Sequence, residues 1–170
     1  MKDQRKSMVI ETTATEQETR TAIAEMLNET AAELISVTLN CKHAHWNVVG
    51  PHFRPMHLHL DEIVKSTRKW TDLVAERAVT IGHQAEGTVR SVSANANLID
   101  LPTGLLQDET VAEAVEEMLA TVSRRVQERI AEVEDVDPVT QDIFIEVAKG
   151  LDLQRWMMGA QLKKGRNKFN

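Results

Sequence analysis

HAHWNVVGPHFRPMHLHLDEIVKSTRKWTDLVAERAVTIG, residues 43–82, decides how this chain folds. Met56, Leu60, Ile63, Trp70, Val74 and Ile81 fall on one side of a helix that turns about 100° per residue. Pro55 suits a first helical turn and Gly82 a stop, so the spacing predicts a helix over 54–81. Gly50-Pro51 breaks the pattern before it and makes residues 47–55 a loop. His57, Asp61, Asp72 and Glu76 lie roughly 150° away from the apolar stripe, with Val64, Ala75 and Val79 among them. A face that mixes apolar residues with metal-ligand types reads as an interface, not as a solvated surface.

Upstream, Thr15 and Glu18 form a capping-box pattern, and Ile23, Leu27, Leu34, Val37, Cys41 and Val48 recur in steps of three and four, predicting a helix over 15–47. Downstream, residues 82–107 form a long connection, with SVSANANL (91–98) as a short helix and LPTG (101–104) as a turn. A third long helix over 108–134 carries Val111, Val115, Met118, Val122, Val126 and Val133. The fourth opens at Asp137-Pro138, an N-cap with proline at the first helical position, and runs through Ile143, Val147, Leu151 and Met158 to 161. No strand-like alternation of useful length occurs. The chain reads as all-α: a four-helix bundle over 15–161 with a long crossover carrying a short helix between helices 2 and 3.

The length of 170 residues suits one domain with its own core. No apolar run reaches membrane-spanning length, and MKDQRKSM has no apolar segment behind it, so the expected compartment is the cytoplasm. The single cysteine, Cys41, forbids an intrachain disulfide and reads as a small buried hydrophobe. A net charge of −6 argues against a uniformly basic nucleic-acid-binding surface. The ends differ from the body: Lys2, Arg5 and Lys6 in a tail over 1–14, and Lys163, Lys164, Arg166 and Lys168 in a tail over 162–170, make both termini basic.

Five of the six histidines fall between residues 43 and 61, and imidazole is the commonest metal ligand among side chains. His57 with Asp61, and Asp72 with Glu76, are four apart, so each pair can offer two ligand atoms from successive turns. The two pairs cannot meet within one helix, because Asp61 and Asp72 are separated by about 16 Å of axis while ligand bonds are near 2 Å. They are, however, symmetric about a point between Ser66 and Thr67. Helix 2 packed antiparallel on its copy across a two-fold axis would set His57 against Glu76 and Asp61 against Asp72, giving two shared sites per dimer. His45, near the end of helix 1, could add a nitrogen. Such ligands suit iron or manganese, and also zinc; spacing does not choose among them.

AHWNVVGPHF (44–53), the spaced His57 and Asp61, DLVAERAVTIG (72–82), Asp142-Ile143-Phe144 and Gly150-Leu151-Asp152 with Trp156 closely resemble the signature of the Dps family, the DNA-binding proteins from starved cells or miniferritins. The resemblance spans most of residues 16–160. It implies a ferritin-like bundle, a hollow dodecameric homo-oligomer built from two-fold dimers, and ferroxidase centres at those dimer interfaces. There Fe²⁺ is oxidised to Fe³⁺, preferentially by hydrogen peroxide, and stored as mineral. His45, His57 and Asp61 match the family's ligands from one subunit, and Asp72 and Glu76 those from its neighbour. Trp46 matches the tryptophan beside the centre, whose indole can be oxidised in place of other targets; its other reading is a core or interface aromatic. Glu62 falls where the family places acids that nucleate the mineral, and is otherwise a solvated helix glutamate. Asp137, Asp142 and Glu146 resemble acids lining an iron-entry pore, although Asp137 also reads as an N-cap and Asp142 as a first-turn partner of the helix dipole.

Two rivals differ in testable ways. A ferritin or bacterioferritin builds its di-iron site inside one bundle on Glu-x-x-His, and no glutamate here lies three residues before a histidine. A nucleoid-structuring protein, with non-specific DNA binding through the basic tails as its main activity, is favoured by the charge at the two ends and would associate with the nucleoid.

Overall fold

The computed structural model describes residues 14–162, so the basic residues assigned to the two tails lie outside the described residues. Its elements are α1 (Ala14–Asn47), β1 (Val48–Val49), α2 (Phe53–Thr80), α3 (Val89–Asn95), β2 (Leu106–Gln107), α4 (Asp108–Val133) and α5 (Pro138–Leu162). α1 packs along α2 and α4 along α5, while the crossover lays α3 against α1. The boundaries match the periodicity closely. One local reading changes: Ala14, the first described residue, is already helical, so Thr15 lies inside α1 and is not its N-cap.

The two-residue strands were not legible as strands. β1 and β2 pair in parallel, Val48 with Leu106 and Val49 with Gln107. That pairing requires the crossover to carry the chain back to the end of the bundle where α1 finishes, so the turn between α1 and α2 and the start of α4 share one end.

The predicted stripes meet in one core: Leu27, Leu34, Val37 and Cys41 of α1, Leu60, Ile63 and Val74 of α2, Val115, Val122 and Val126 of α4, and Phe144, Val147 and Leu151 of α5 are all fully buried. Burial pushes the Cys41 thiol up to about 12, so it remains an uncharged packing group. Val64 also packs into this core, which removes it from the outer face expected for it. Buried polarity is paired. Glu33 is held by Arg125 (2.9 Å) and by Arg129 (2.6 and 3.1 Å). Arg125 also donates to the carbonyls of Ala96 and Asn97, fastening the end of α3 to α4. Burial works against the charge on Arg129, but Glu33 and Glu29 outweigh it and hold the guanidinium above its usual value.

α2 meets α5 at Gly150, where an added Cβ would lie 1.9 Å from Cζ2 of the buried Trp70 indole. We expect Gly150→Ala to cost about 1–3 kcal/mol through overpacking. On a chain of this length each kcal/mol lowers the thermal midpoint by about 2–4 °C. A midpoint unchanged in scanning calorimetry would mean the indole has room to retreat.

Candidate metal centre

His45 stands in the last turn of α1 and His57 in the second turn of α2, facing each other across the tight turn that joins the helices. Their rings stack with centroids 3.6 Å apart and planes inclined by 21°. His45 Nδ1 lies 2.8 Å from the His57 carbonyl oxygen, and His57 Nδ1 lies 2.9 Å from the His45 carbonyl oxygen. A carbonyl only accepts, so each Nδ1 carries the proton and each Nε2 keeps a lone pair. Metal-binding histidines adopt this division, one ring nitrogen donating to a carbonyl while the other binds. The residues present therefore fit a nitrogen-and-carboxylate site of the kind that takes iron.

Asp61 lies one turn beyond His57, with Oδ1 3.4 Å from His45 Nδ1 and 2.8 Å from the Lys42 ammonium. Lys42 also sits over the Trp46 ring, 5.6 Å from its centroid, and the indole is 70% exposed. The Lys42 hydrogen bond, opposed by desolvation, holds the Asp61 carboxyl below the usual carboxylate range. Lys42 was not among the residues picked out from sequence. Its signal was present, since it precedes His45 by three and Trp46 by four residues on the same helix.

His45, His57 and Asp61 come together at one end of α2, while Asp72 and Glu76 stand exposed toward its other end. Among the described residues no three His, Cys, Asp or Glu side chains enclose a metal position. One chain therefore holds the ligands expected from sequence as two separate groups.

Glu62 is exposed on α2 and Asp142 on α5. Glu146 pairs with Lys69 of α2 at 2.8 Å. Asp137 is the N-cap of α5, accepting from the backbone N–H groups of Val139 and Thr140, and it also takes both hydrogen bonds of the Arg77 Nη2. Burial would raise its pKa, but the Thr140 hydroxyl and Arg77 prevail and keep it low. This carboxylate is committed within its own chain. Three of the other histidines have structural partners: His43 reaches the Pro102 carbonyl, His52 reaches Asp108, and His59 bridges Gln154 and Gln161 in the α2–α5 contact.

A family model described as a ferritin-like domain matches residues 24–167. The chain is 32% identical to "DNA protection during starvation protein 2" of Deinococcus radiodurans over 139 residues, covering 82% of this chain and 58% of that protein, so it spans under two thirds of that relative. It is 30% identical to "DNA protection during starvation protein" of Agrobacterium fabrum over 146 residues, covering 85% of this chain and 90% of the relative. The crystal structure of Dps92 from Deinococcus radiodurans superposes with a TM-score of 0.85 at 31% identity, covering 88% of this chain and 90% of that one. The bundle is ferritin-like, of the kind that sets a long crossover between its two helical pairs. Within that class the chain belongs to the Dps family.

The Lys42–Asp61 pair gives a pH expectation. Because the folded pKa of Asp61 is depressed, the stability this carboxylate contributes is present above its unfolded value near about 3.9, and is lost as pH falls through the lower folded value. In a ¹³C-carboxyl NMR titration, Lys42→Ala should move the Asp61 midpoint up toward the ordinary range. A midpoint that stays put would assign the shift to another group.

Proposed function

We propose that this protein is an iron-oxidising and iron-storing miniferritin whose ferroxidase centre is divided between two copies of the chain. The observation that carries the reading is the separation of the ligands: two histidines with their Nε2 lone pairs set free lie beside Asp61, and the remaining acids stand at the other end of the same helix. A second copy packed antiparallel about the point between Ser66 and Thr67 would bring Asp72 and Glu76 to that histidine pair. His45, His57 and Asp61 from one subunit and Asp72 and Glu76 from the other then hold the substrate, Fe²⁺.

Imidazole and carboxylate divide the work. Nitrogen ligands keep ferrous iron bound at moderate affinity, and hard carboxylate oxygens favour the ferric product. Two ferrous ions give one electron each to hydrogen peroxide, the O–O bond breaks, and with two protons the oxygens leave as water. The ferric ions hydrolyse to oxyhydroxide inside a dodecameric shell. Paired delivery of electrons avoids the one-electron cleavage that yields hydroxyl radical. Trp46, exposed beside the histidines, offers an indole that takes the damage of any stray oxidant. The Lys42 ammonium yields Asp61 Oδ1 to the arriving cation. Asp142 and Glu146 would serve iron entry, with Asp137 as their N-cap neighbour, and Glu62 mineral nucleation.

DNA protection is the second half of the reading and rests on the names of the relatives together with the basic ends. Lys2, Arg5, Lys6, Lys163, Lys164, Arg166 and Lys168 would contact phosphates weakly, many copies on one shell compounding each contact. Among the described residues no helix is long and apolar enough to cross a membrane, and the proposed setting is cytoplasmic, at the nucleoid. If DNA binding were the main activity, the metal centre would be secondary.

Stopped-flow absorbance separates these readings. At matched electron equivalents, peroxide should oxidise Fe²⁺ much faster than dioxygen, and trimming residues 1–8 and 163–170 should abolish a low-salt gel shift while leaving that oxidation intact. Equal or faster turnover with dioxygen would point to a ferritin-type centre, and no ferroxidation with strong DNA binding would point to the structural role.

A further inference from the structure

The turn between His45 and His57 is held from outside by one carboxylate, that of Asp108, the first residue of α4. The Asp108 side chain is buried. Its Oδ2 accepts the His52 backbone N–H at 2.6 Å, and its Oδ1 accepts the Glu109 N–H at 2.9 Å. The His52 imidazole Nδ1 lies 3.2 Å from Oδ2. Gly50 passes directly over the carboxylate: its φ is +133°, and an added Cβ would stand 2.7 Å from the Asp108 oxygen and carbon atoms. The absent side chain is what lets the turn seat on the acid.

Around this contact the rest of the crossover end closes on the same segment. His43 Nε2 meets the Pro102 carbonyl, Leu101 N–H donates to Asn40, and Val48 and Val49 pair with Leu106 and Gln107. Residues 101–108 thus form a strap across the end of the α1–α2 pair. Every link but one joins backbone or neutral groups; the charged link is Asp108.

We infer that Asp108 is a positioning residue for the metal centre, fixing the 48–52 turn so that His45 and His57 stack and give their Nδ1 protons to each other's carbonyls. This rests on the reading of His45 and His57 as ligands. The physical reason is leverage. The two imidazoles belong to different helices, and their reciprocal hydrogen bonds hold only while the five-residue turn keeps those helices at one separation. Oδ2 ties the end of the turn, at His52, to α4, 56 residues away in sequence, while Oδ1 is held by the Glu109 N–H and Gly50 at the middle of the turn rests on the carboxylate. The carboxylate touches neither ligand.

Binding of Co²⁺ alone tests this, because its visible absorbance reports both affinity and coordination geometry. Size-exclusion with light scattering confirms assembly of each variant. Wild-type protein must bind Co²⁺ in a manner lost in His57→Ala; if it does not, the reading of the centre fails and Asp108 has no site to position. Given that result, Asp108→Ala should bind Co²⁺ about tenfold or more weakly, as for loss of a partner that orients ligands, with an altered spectrum. Asp108→Asn covers the case in which the alanine variant does not assemble: its amide turns an NH₂ toward one of the two N–H donors, so it too should weaken binding several-fold. Val133→Ala, at the far end of α4, controls for general loss of stability and should keep wild-type affinity and spectrum. An Asp108 variant that assembles and matches wild type in both readouts would overturn the inference, as would an equal loss in Val133→Ala.

Discussion

A helix cannot fold its own side chains back on themselves. Asp61 and Asp72 of α2 are held apart by about 16 Å of rigid axis, and α2 runs unbroken from Phe53 to Thr80 between them. This constraint governs the rest of the molecule. The donors proposed to carry the chemistry are paired at four-residue spacing, yet one chain brings only His45, His57 and Asp61 to one place and leaves Asp72 and Glu76 exposed. The long apolar stripes that stiffen α2 by burying one side of it also make an intrachain site unattainable. In the proposed reading, function requires the other side of α2 to be covered by a second copy.

The His45–His57 pair is ordered within the single chain. The turn after α1 stacks the two imidazoles and spends both Nδ1 protons on carbonyls, so no tautomer change is needed when a cation binds at Nε2. Lys42 completes this resting arrangement by occupying Asp61 Oδ1. An ammonium in that place stabilises the ionised carboxylate, and in the proposed reading an arriving dication displaces it.

The helices were legible because their stripes are long and regular: Leu27, Leu34 and Val37, or Val115, Val122 and Val126, can be buried together only as one side of a helix. The proposed ligands were picked out by the same periodicity, since four-residue spacing places His57 over Asp61 and Asp72 over Glu76, and the structure sets the first pair beside His45 and leaves the second exposed. What escaped was everything fixed by contacts distant in sequence. Two-residue pairing of Val48–Val49 with Leu106–Gln107 carries no alternation to read. Glu33 sits in an otherwise apolar stripe, and its partners Arg125 and Arg129 lie more than ninety residues away. Asp108 looks like an ordinary acid in a first helical turn until Gly50 and His52 are seen resting on it. Val64 was assigned to the outer face, but it packs into the core, where its contacts come from residues distant in sequence.

The central claim is that each site is built from two chains, and complementation tests it without knowledge of the interface. A variant carrying His57→Ala and Asp61→Ala, and a second carrying Asp72→Ala and Glu76→Ala, should each assemble and each lose rapid Fe²⁺ oxidation. In a mixed dimer one site lacks all four ligands, while the other draws His57 and Asp61 from the second variant and Asp72 and Glu76 from the first. Co-assembled at random, the mixture should recover about a quarter of wild-type sites, because about half the dimers are mixed and each has one whole site of two. Activity no higher than that of the separate variants, in shells shown by mass spectrometry to contain mixed dimers, would contradict a centre shared between chains.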